Sequence, residues 1–378
     1  MSSKSSSNKS SMSVDSDYTD EEDDRYIDWA YHIFNNNYML IEKIGKGAYC
    51  SVWLAYKFNN NNFCALKIYT REDYDRGMVE VETYNKLKTI NNITHYITTF
   101  IHKEIEDNLF LCAEMQLCGY SLYNLIEIFK TNIPVSFIDN ITDQIINILN
   151  NFHSKGYVHG DIKPENILLN VPTLRINKLI NLIKTVKLKK NKINFTKLVK
   201  NAVDKFVYND EKDDIYNYIF NQPQKIIICD IGTAVKPNDP KLYKKYTIYY
   251  RAPETILKLN YNHTYDYWSL GCTLYEIITG NILFDVNNDL ELLYEFNSKL
   301  GPIPLEMLKK SEISTMFFNK NLSRLRGYKS IKFQSIYSKL INLINVNNFT
   351  IIQKLINIII NCLNYDNINR KIISQNII

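Results

Sequence analysis

The chain has 378 residues, 45% of them hydrophobic, and 45 Lys and Arg against 40 Asp and Glu give a formal net charge of +5. That length admits a two-lobed domain with appendages, and the apolar content, with 28 Tyr and 17 Phe, excludes a disordered or fibrous chain. Seven Cys without framework spacing exclude a disulfide scaffold and point to reduced thiols inside a cell.

Residues 1–30 read as a Ser-rich and then acidic tail, with Ser16 and Thr19 among carboxylates; such a segment cannot bury enough apolar surface to offset its ordering entropy. It has no apolar core, so no secretory signal is read and an intracellular protein is expected. From Tyr38 the pattern changes. Residues 38–44, 51–56 and 63–69 read as three strands, the first two joined by a glycine-containing turn. Residues 76–90 carry helical spacing through Val81, Tyr84 and Leu87, and 108–115 return as a strand. After Gly119 the chain turns largely helical, as in 137–152. A strand-rich unit followed by a helical one is an α+β plan with two lobes, about 38–115 and 116–378, and a cleft between them.

Residues 171–225 form an insertion rich in Lys, Asn and Ile. Leu179, Leu182, Ile183 and Val186 fit one helical face, and Leu198, Val199, Ala202, Val203 and Phe206 another. A wet basic appendage on the hinge side of the large lobe is expected, dispensable for chemistry. The apolar stretch 351–363 is broken by Gln353, Lys354, Asn357 and Asn361 and reads as a buried helix, not a membrane span. The positive balance reads as a solvated lysine surface, so neither nucleic acid nor membrane is expected as a partner, and a monomer is expected.

The chemistry concentrates in Tyr157-Val-His-Gly-Asp-Ile-Lys-Pro-Glu-Asn-Ile-Leu-Leu169, where Asp161, Lys163 and Asn166 could present a base, a cation and a metal-ligating oxygen to one phosphoryl group. Gly45-Lys-Gly-Ala-Tyr-Cys-Ser-Val52 places two glycines where backbone can approach phosphates. Lys67, on a strand, is costly to bury without a carboxylate; Glu80 is the candidate partner, and Glu82, two positions on, is the alternative. Cys229-Asp-Ile-Gly232 follows an apolar strand, and Asp230 could hold a hard cation. Thr247-Ile-Tyr-Tyr-Arg-Ala-Pro-Glu254 and Asp266-Tyr-Trp-Ser-Leu-Gly-Cys272 complete the ordered set.

In that order these motifs resemble the eukaryotic serine/threonine protein kinases over roughly 38–372, a bilobal fold with ATP in the cleft. Arg251 before Ala-Pro-Glu254, Ser51-Val-Trp after a loop whose third glycine is Cys50, and Leu300-Gly-Pro-Ile-Pro304 resemble the SR-protein and LAMMER-type branch. The resemblance implies ATP and Mg²⁺, with Asp161 as base, Lys163 on the transferring phosphoryl and Thr247 beside them. Asn166 and Asp230 would ligate Mg²⁺. Lys67, held by Glu80, would fix the phosphates, Gly45 and Gly47 would lie over them, and Ile44, Val52, Ala65 and Leu168 would sandwich adenine. Hinge contacts would come from Gln116 to Cys118 with Met115 as gatekeeper, or, in another register, from Glu114. Glu254 would pair with Arg370, and Asp266 would brace the catalytic loop. The last family helix is expected to be shortened after Arg370.

The implied substrates are protein Ser/Thr hydroxyls, with serines beside arginines if the branch resemblance extends that far. Asp285, Asp289, Glu291 and Glu295 are a candidate acidic dock for them. The alternative is a kinase-shaped scaffold without chemistry, which loss of Lys67, Asp161, Asn166 or Asp230 would favour; all four are present.

Overall fold

A computed structural model describes residues 27–47, 49–103, 108–186, 191–244, 247–341 and 348–370. The small lobe is an antiparallel sheet of β1 (Ile33–Phe34), β2 (Tyr38–Lys46), β3 (Cys50–Lys57), β4 (Asn62–Tyr69), β5 (Tyr96–Lys103) and β6 (Leu109–Met115), in spatial order β1-β2-β3-β4-β6-β5. Strand alternation divides its side chains. Leu40, Trp53, Ala55, Leu66 and Phe110 pack together on one face. Val52, Ala65, Tyr69 and Met115 lie on the other, with Val81 and Tyr84 of α1 (Tyr74–Leu87) against them. Gly77 permits that approach, since a Cβ there would come within 2.6 Å of Leu111 Cδ2 and 2.8 Å of the Tyr69 ring.

One boundary moves and one strand joins the sheet. Trp29 is buried, edge-on to Phe34 and Phe110 with ring centroids 5.2 and 5.4 Å away, so ordered packing begins before residue 30. Residues 1–26, with Ser16 and Thr19, lie outside the described residues. Strand β5 was not read from the sequence because it is an edge strand whose Ile97 and Ile101 face solvent.

The large lobe begins with α2 (Leu122–Phe129), which Ser121 and Asn124 cap reciprocally, and α3 (Val135–Ser154). A two-stranded ribbon of β7 (Ile167–Leu169) and β8 (Ile226–Ile228) carries the catalytic segments. Beyond it come α7 (Pro253–Ile256), α8 (Tyr265–Thr279) and α9 (Asp289–Leu300), which take the numbers after the three helices of the insertion. Helix α8 is buried from Tyr265 through Ile278, as expected of a helix at the centre of a core. The helix Phe349–Cys362 packs on it, with Cys362 against Gly271. Glu254 and Arg370, 1% and 0% exposed, form a two-pronged pair at 2.5 and 2.7 Å, with the arginine over Trp268. Among the described residues no helix is long and apolar enough to cross a membrane.

The insertion is not a remote appendage. Its α4 (Leu174–Thr185) and α5 (Lys192–Val203) start at N-caps Thr173 and Asn191 and lie on the small lobe. Ile176, Leu179, Ile180, Ile183, Phe195 and Val199 pack with Met39, Ile41, Leu54 and Tyr56 of β2 and β3, while Arg175 pairs with Glu42. Leu198 is 39% exposed, so it leaves the expected apolar face. The third helix, α6 (Lys212–Phe220), packs instead on the large lobe, Phe220 meeting Phe129 and Phe137 at 5.2 and 5.0 Å.

Candidate active site

Strand β4 and helix α1 bring Lys67 and Glu80 together. The lysine Nζ lies 2.7 and 2.8 Å from the two carboxylate oxygens. Burial alone would raise the Glu80 carboxyl; the Lys67 charge and its hydrogen bonds outweigh that and hold it below the usual range. Burial likewise opposes the Lys67 charge, and Tyr96, Glu80 and Tyr69 around it push its pKa well above the ordinary value. Glu82 points to solvent and pairs with Lys86 at 2.7 Å, which resolves the register.

The catalytic loop is held from below by Asp266, which is fully buried. Its carboxylate accepts the backbone N–H groups of His159 and Gly160 at 2.8 Å each and meets His153 Nε2 at 2.9 Å. Burial works against that charge, and the hydrogen bonds from His153 and Gly160 overcome it, keeping the carboxyl below its ordinary pKa. Gly160 sits at φ +79°, a conformation that favours glycine.

Above this support the predicted groups converge. Asn166 Nδ2 donates to the Asp161 carbonyl at 2.8 Å and to Asp161 Oδ2 at 2.9 Å. Lys163 Nζ reaches Asp161 Oδ2 at 2.9 Å and donates to Thr247 Oγ1 at 3.1 Å, tying the end of the activation segment to the loop. Burial opposes the Lys163 charge, but Asp161 outweighs it and raises its pKa. Asp230 lies in the left-handed region at φ +61°, ψ +47°, which aspartate tolerates better than most residues. The Cys229 N–H donates to the Asn166 carbonyl at 2.9 Å, and Ile231 is buried in the core.

The apolar part of the cleft gathers Ile44, Val52, Ala65, Met115 and Leu117 in one cluster. Ala65 pairs across the sheet with Met115, at the end of β6 where the chain crosses to the large lobe. Glu114 faces the other side of the sheet, taking the Tyr38 hydroxyl at 2.7 Å and Lys57 at 2.6 Å. The Glu114 carboxylate is therefore committed away from the cleft, and any hinge contact at this residue would run through its backbone. Gln116 is exposed with its side chain on Asn170; Cys118 and Leu168 are half-buried, and Leu168 bridges to Ser121. Gly45 pairs with Val52, and the Gly47 N–H donates to the Cys50 carbonyl at 2.9 Å, with Cys50 turned inward where burial raises its thiol pKa.

Three of the four candidate dock residues have local partners, and Asp285 is exposed. Asp289 pairs with Arg251 at 2.8 Å, Glu291 accepts hydrogen bonds from Asn287 and Asn288, and Glu295 pairs with Lys299 at 2.7 Å. Sequence reading also passed over Tyr69 and Tyr96, whose hydroxyls meet Glu80, and Glu276, buried under the activation segment. Their only signal was a polar tip at a core position.

The donor set suits a magnesium nucleotide. Asp230 offers carboxylate oxygens, and Asn166, donating through its nitrogen, keeps its amide oxygen available. Among the described residues no cluster of three or more His, Cys, Asp or Glu makes a ready-made metal site. Phosphate oxygens would have to complete the shell, which is how Mg²⁺ is commonly held.

Comparison with known proteins agrees with this geometry. The chain is 28% identical over 337 residues to "Probable serine/threonine-protein kinase clkA" of Dictyostelium discoideum, covering 83% of this chain and 34% of that protein. It is 26% identical to the dual specificity protein kinase lkh1 of Schizosaccharomyces pombe, covering 81% of this chain and 40% of lkh1. It is 27% identical to the serine/threonine-protein kinase SRPK of Physarum polycephalum, covering 80% and 77%. The chain thus spans about a third of the first relative's length and well under half of the second's. The protein kinase domain family matches residues 38–191 and 201–377, nearly the whole folded chain, and the chain belongs to that family.

Proposed function

We propose that the protein transfers the γ-phosphoryl group of ATP to Ser or Thr hydroxyls of protein substrates. The observation that carries this reading is the closed Lys67–Glu80 pair together with the Asp161–Lys163–Asn166–Thr247 cluster. Asp161 orients the substrate hydroxyl and accepts its proton as the oxygen–phosphorus bond forms and the bond to ADP breaks. Lys163 offsets charge on the phosphoryl oxygens, and Thr247 fixes the lysine and borders the hydroxyl. Lys67 holds the α- and β-phosphates, and Gly45 and Gly47 let the hairpin backbone lie over them. Ile44, Val52, Ala65 and Leu168 enclose adenine, with the backbone from Gln116 to Cys118 at its edge. Mg²⁺ held through Asn166 and Asp230 would neutralise charge between the phosphates. Labelled ATP and a Ser/Thr peptide library test the reading: phosphate on Ser or Thr supports it, and no incorporation overturns it.

Arginine-containing substrates are the finer part of this reading, carried by the carboxylates Glu165 and Glu276. Glu276 is 4% exposed and accepts the Tyr250 hydroxyl at 2.6 Å; burial, together with the nearby Glu165 charge, pushes its pKa up to about 7. A substrate guanidinium beside Glu165 would favour the ionised form. For an arginine-containing peptide, kcat/KM should rise with pH through about 7 as Glu276 loses its proton, and this step should be absent in Glu276→Gln. An identical step with an uncharged peptide would count against the assignment.

The protein should also be active without phosphate on its activation segment. Gly160 stands where most relatives of this fold carry an arginine, so no bare cation there awaits a phosphate. Lys236 Nζ is already 3.7 Å over the Tyr157 ring, and the Tyr243 hydroxyl donates to the Leu259 carbonyl at 3.0 Å. Lys245 and Tyr246 lie outside the described residues. Phosphatase-treated protein, checked by mass spectrometry, should keep most of its activity. Loss on dephosphorylation, regained on modification of Thr247, Tyr243 or Tyr246, would refute this.

A further inference from the structure

Glu80 needs one cation to balance its charge, yet more than a cation surrounds it. Besides Lys67, the Tyr69 hydroxyl donates to Oε2 at 2.9 Å, and the Tyr96 hydroxyl donates to Oε1. The two phenol oxygens are 2.9 Å apart. Both tyrosines are core residues, 2% and 6% exposed, on β4 and β5 at either side of β6. Lys67 Nζ also lies 4.9 Å from the centroid of the Tyr69 ring, so this side chain touches both members of the pair. Behind Glu80 stands Gly232, where a Cβ would come within 2.7 Å of Glu80 Cγ.

Helix α1 packs on the sheet through Val81 and Tyr84, but its own first turns are weak. Its N-cap Asp73 makes no side-chain cap, and Gly77 sits in its second turn, where glycine weakens a helix. Met78 and Val79, just before Glu80, are 43% and 50% exposed. The fixed points are on the sheet.

We propose that Tyr69 and Tyr96 are positioning residues for phosphoryl transfer: their hydroxyls hold Glu80, and through it Lys67, in the phosphate-binding arrangement without any modification of the activation segment. This rests on the phosphoryl-transfer reading above. Hydrogen bonds to a buried carboxylate are among the stronger ones in a protein, and a phenylalanine keeps the ring while removing only the oxygen. The preference is for ATP, since Lys67 and Glu80 serve the nucleotide and not the peptide.

Steady-state kinetics of Tyr69→Phe, Tyr96→Phe and the double variant, in wild-type and Glu80→Gln backgrounds, test this. Each single change should lower kcat/KM for ATP by about ten-fold and the double variant by more, with KM for the peptide moving less than about two-fold. In the Glu80→Gln background the same changes should cost clearly less, because the acceptor's charge is gone and only neutral hydrogen bonds remain to be lost. A double variant with wild-type kcat/KM for ATP overturns the proposal, as does a parallel rise in peptide KM or an equal loss in the Glu80→Gln background. Absence of transfer by the wild-type protein would remove the kinase reading itself and this proposal with it.

Discussion

Asp161→Asn should reduce phosphoryl transfer by roughly 10³-fold while changing ATP affinity by no more than about two-fold. The carboxylate is engaged by Lys163 and Asn166 of its own loop. An asparagine keeps the size of the side chain and can still accept one of those hydrogen bonds, so the loop should remain folded on its Asp266 brace. What disappears is a proton acceptor beside the substrate hydroxyl. Lys67→Met should fail differently: KM for ATP should rise, and Glu80 would be left buried with two phenols and no cation, which is costly. Peptide phosphorylation and nucleotide binding by calorimetry, measured on both variants, separate the two roles. Persistence of transfer in Asp161→Asn within about ten-fold of wild type would show that another group takes the proton.

The catalytic residues were legible because each stands in a short run whose order and chemistry constrain one another. Asp161, Lys163 and Asn166 lie within six residues, and the fold had only to turn them the same way. Groups that meet across the fold were harder. Glu80 and Glu82 differ by two positions on one helix, and the packing of that helix shows which face turns inward: Tyr84 lies against Tyr96, with ring centroids 5.1 Å apart, and Glu82 pairs with Lys86 in solvent. Glu114 is ambiguous in sequence because β6 is buried on both sides and lacks the alternation that would assign its faces. Tyr69 and Tyr96 read as ordinary core aromatics, since nothing local announces that two hydroxyls 27 residues apart share one carboxylate. The insertion showed its apolar faces but not their partner. A clue was present in β2, where Tyr38, Met39, Leu40 and Ile41 are all buried: a strand with one wet face would alternate.

That missed contact reverses the expected result of removing the insertion. Replacing residues 174–203 by a Gly/Ser linker should leave a protein that is insoluble or melts far below wild type. Met39, Ile41, Leu54 and Tyr56, 0–4% exposed, would be uncovered, with α4 and α5 gone from above them. Uncovering a large apolar side chain forfeits about 1.5–3 kcal/mol, so four approach the ~5–15 kcal/mol that holds a typical domain together. That sum is an upper bound, because the denatured chain already hides part of this surface. Milder changes keep the test readable if the deletion does not fold. Phe195→Ala, which removes a buried ring 5.1 Å from Tyr56, should destabilise the protein by about 3–5 kcal/mol. Leu179→Ala, also fully buried, should cost about 2–5 kcal/mol. The effect should reach the nucleotide as well. Ile44 and Leu117 pack both against this cluster and within the apolar cleft, so loosening the one side should raise KM for ATP more than KM for the peptide. Thermal melts of both variants with and without Mg·ATP, alongside the two KM values, measure this directly. A deletion variant with wild-type melting temperature and wild-type KM for ATP would show that α4 and α5 only rest on the small lobe and brace nothing.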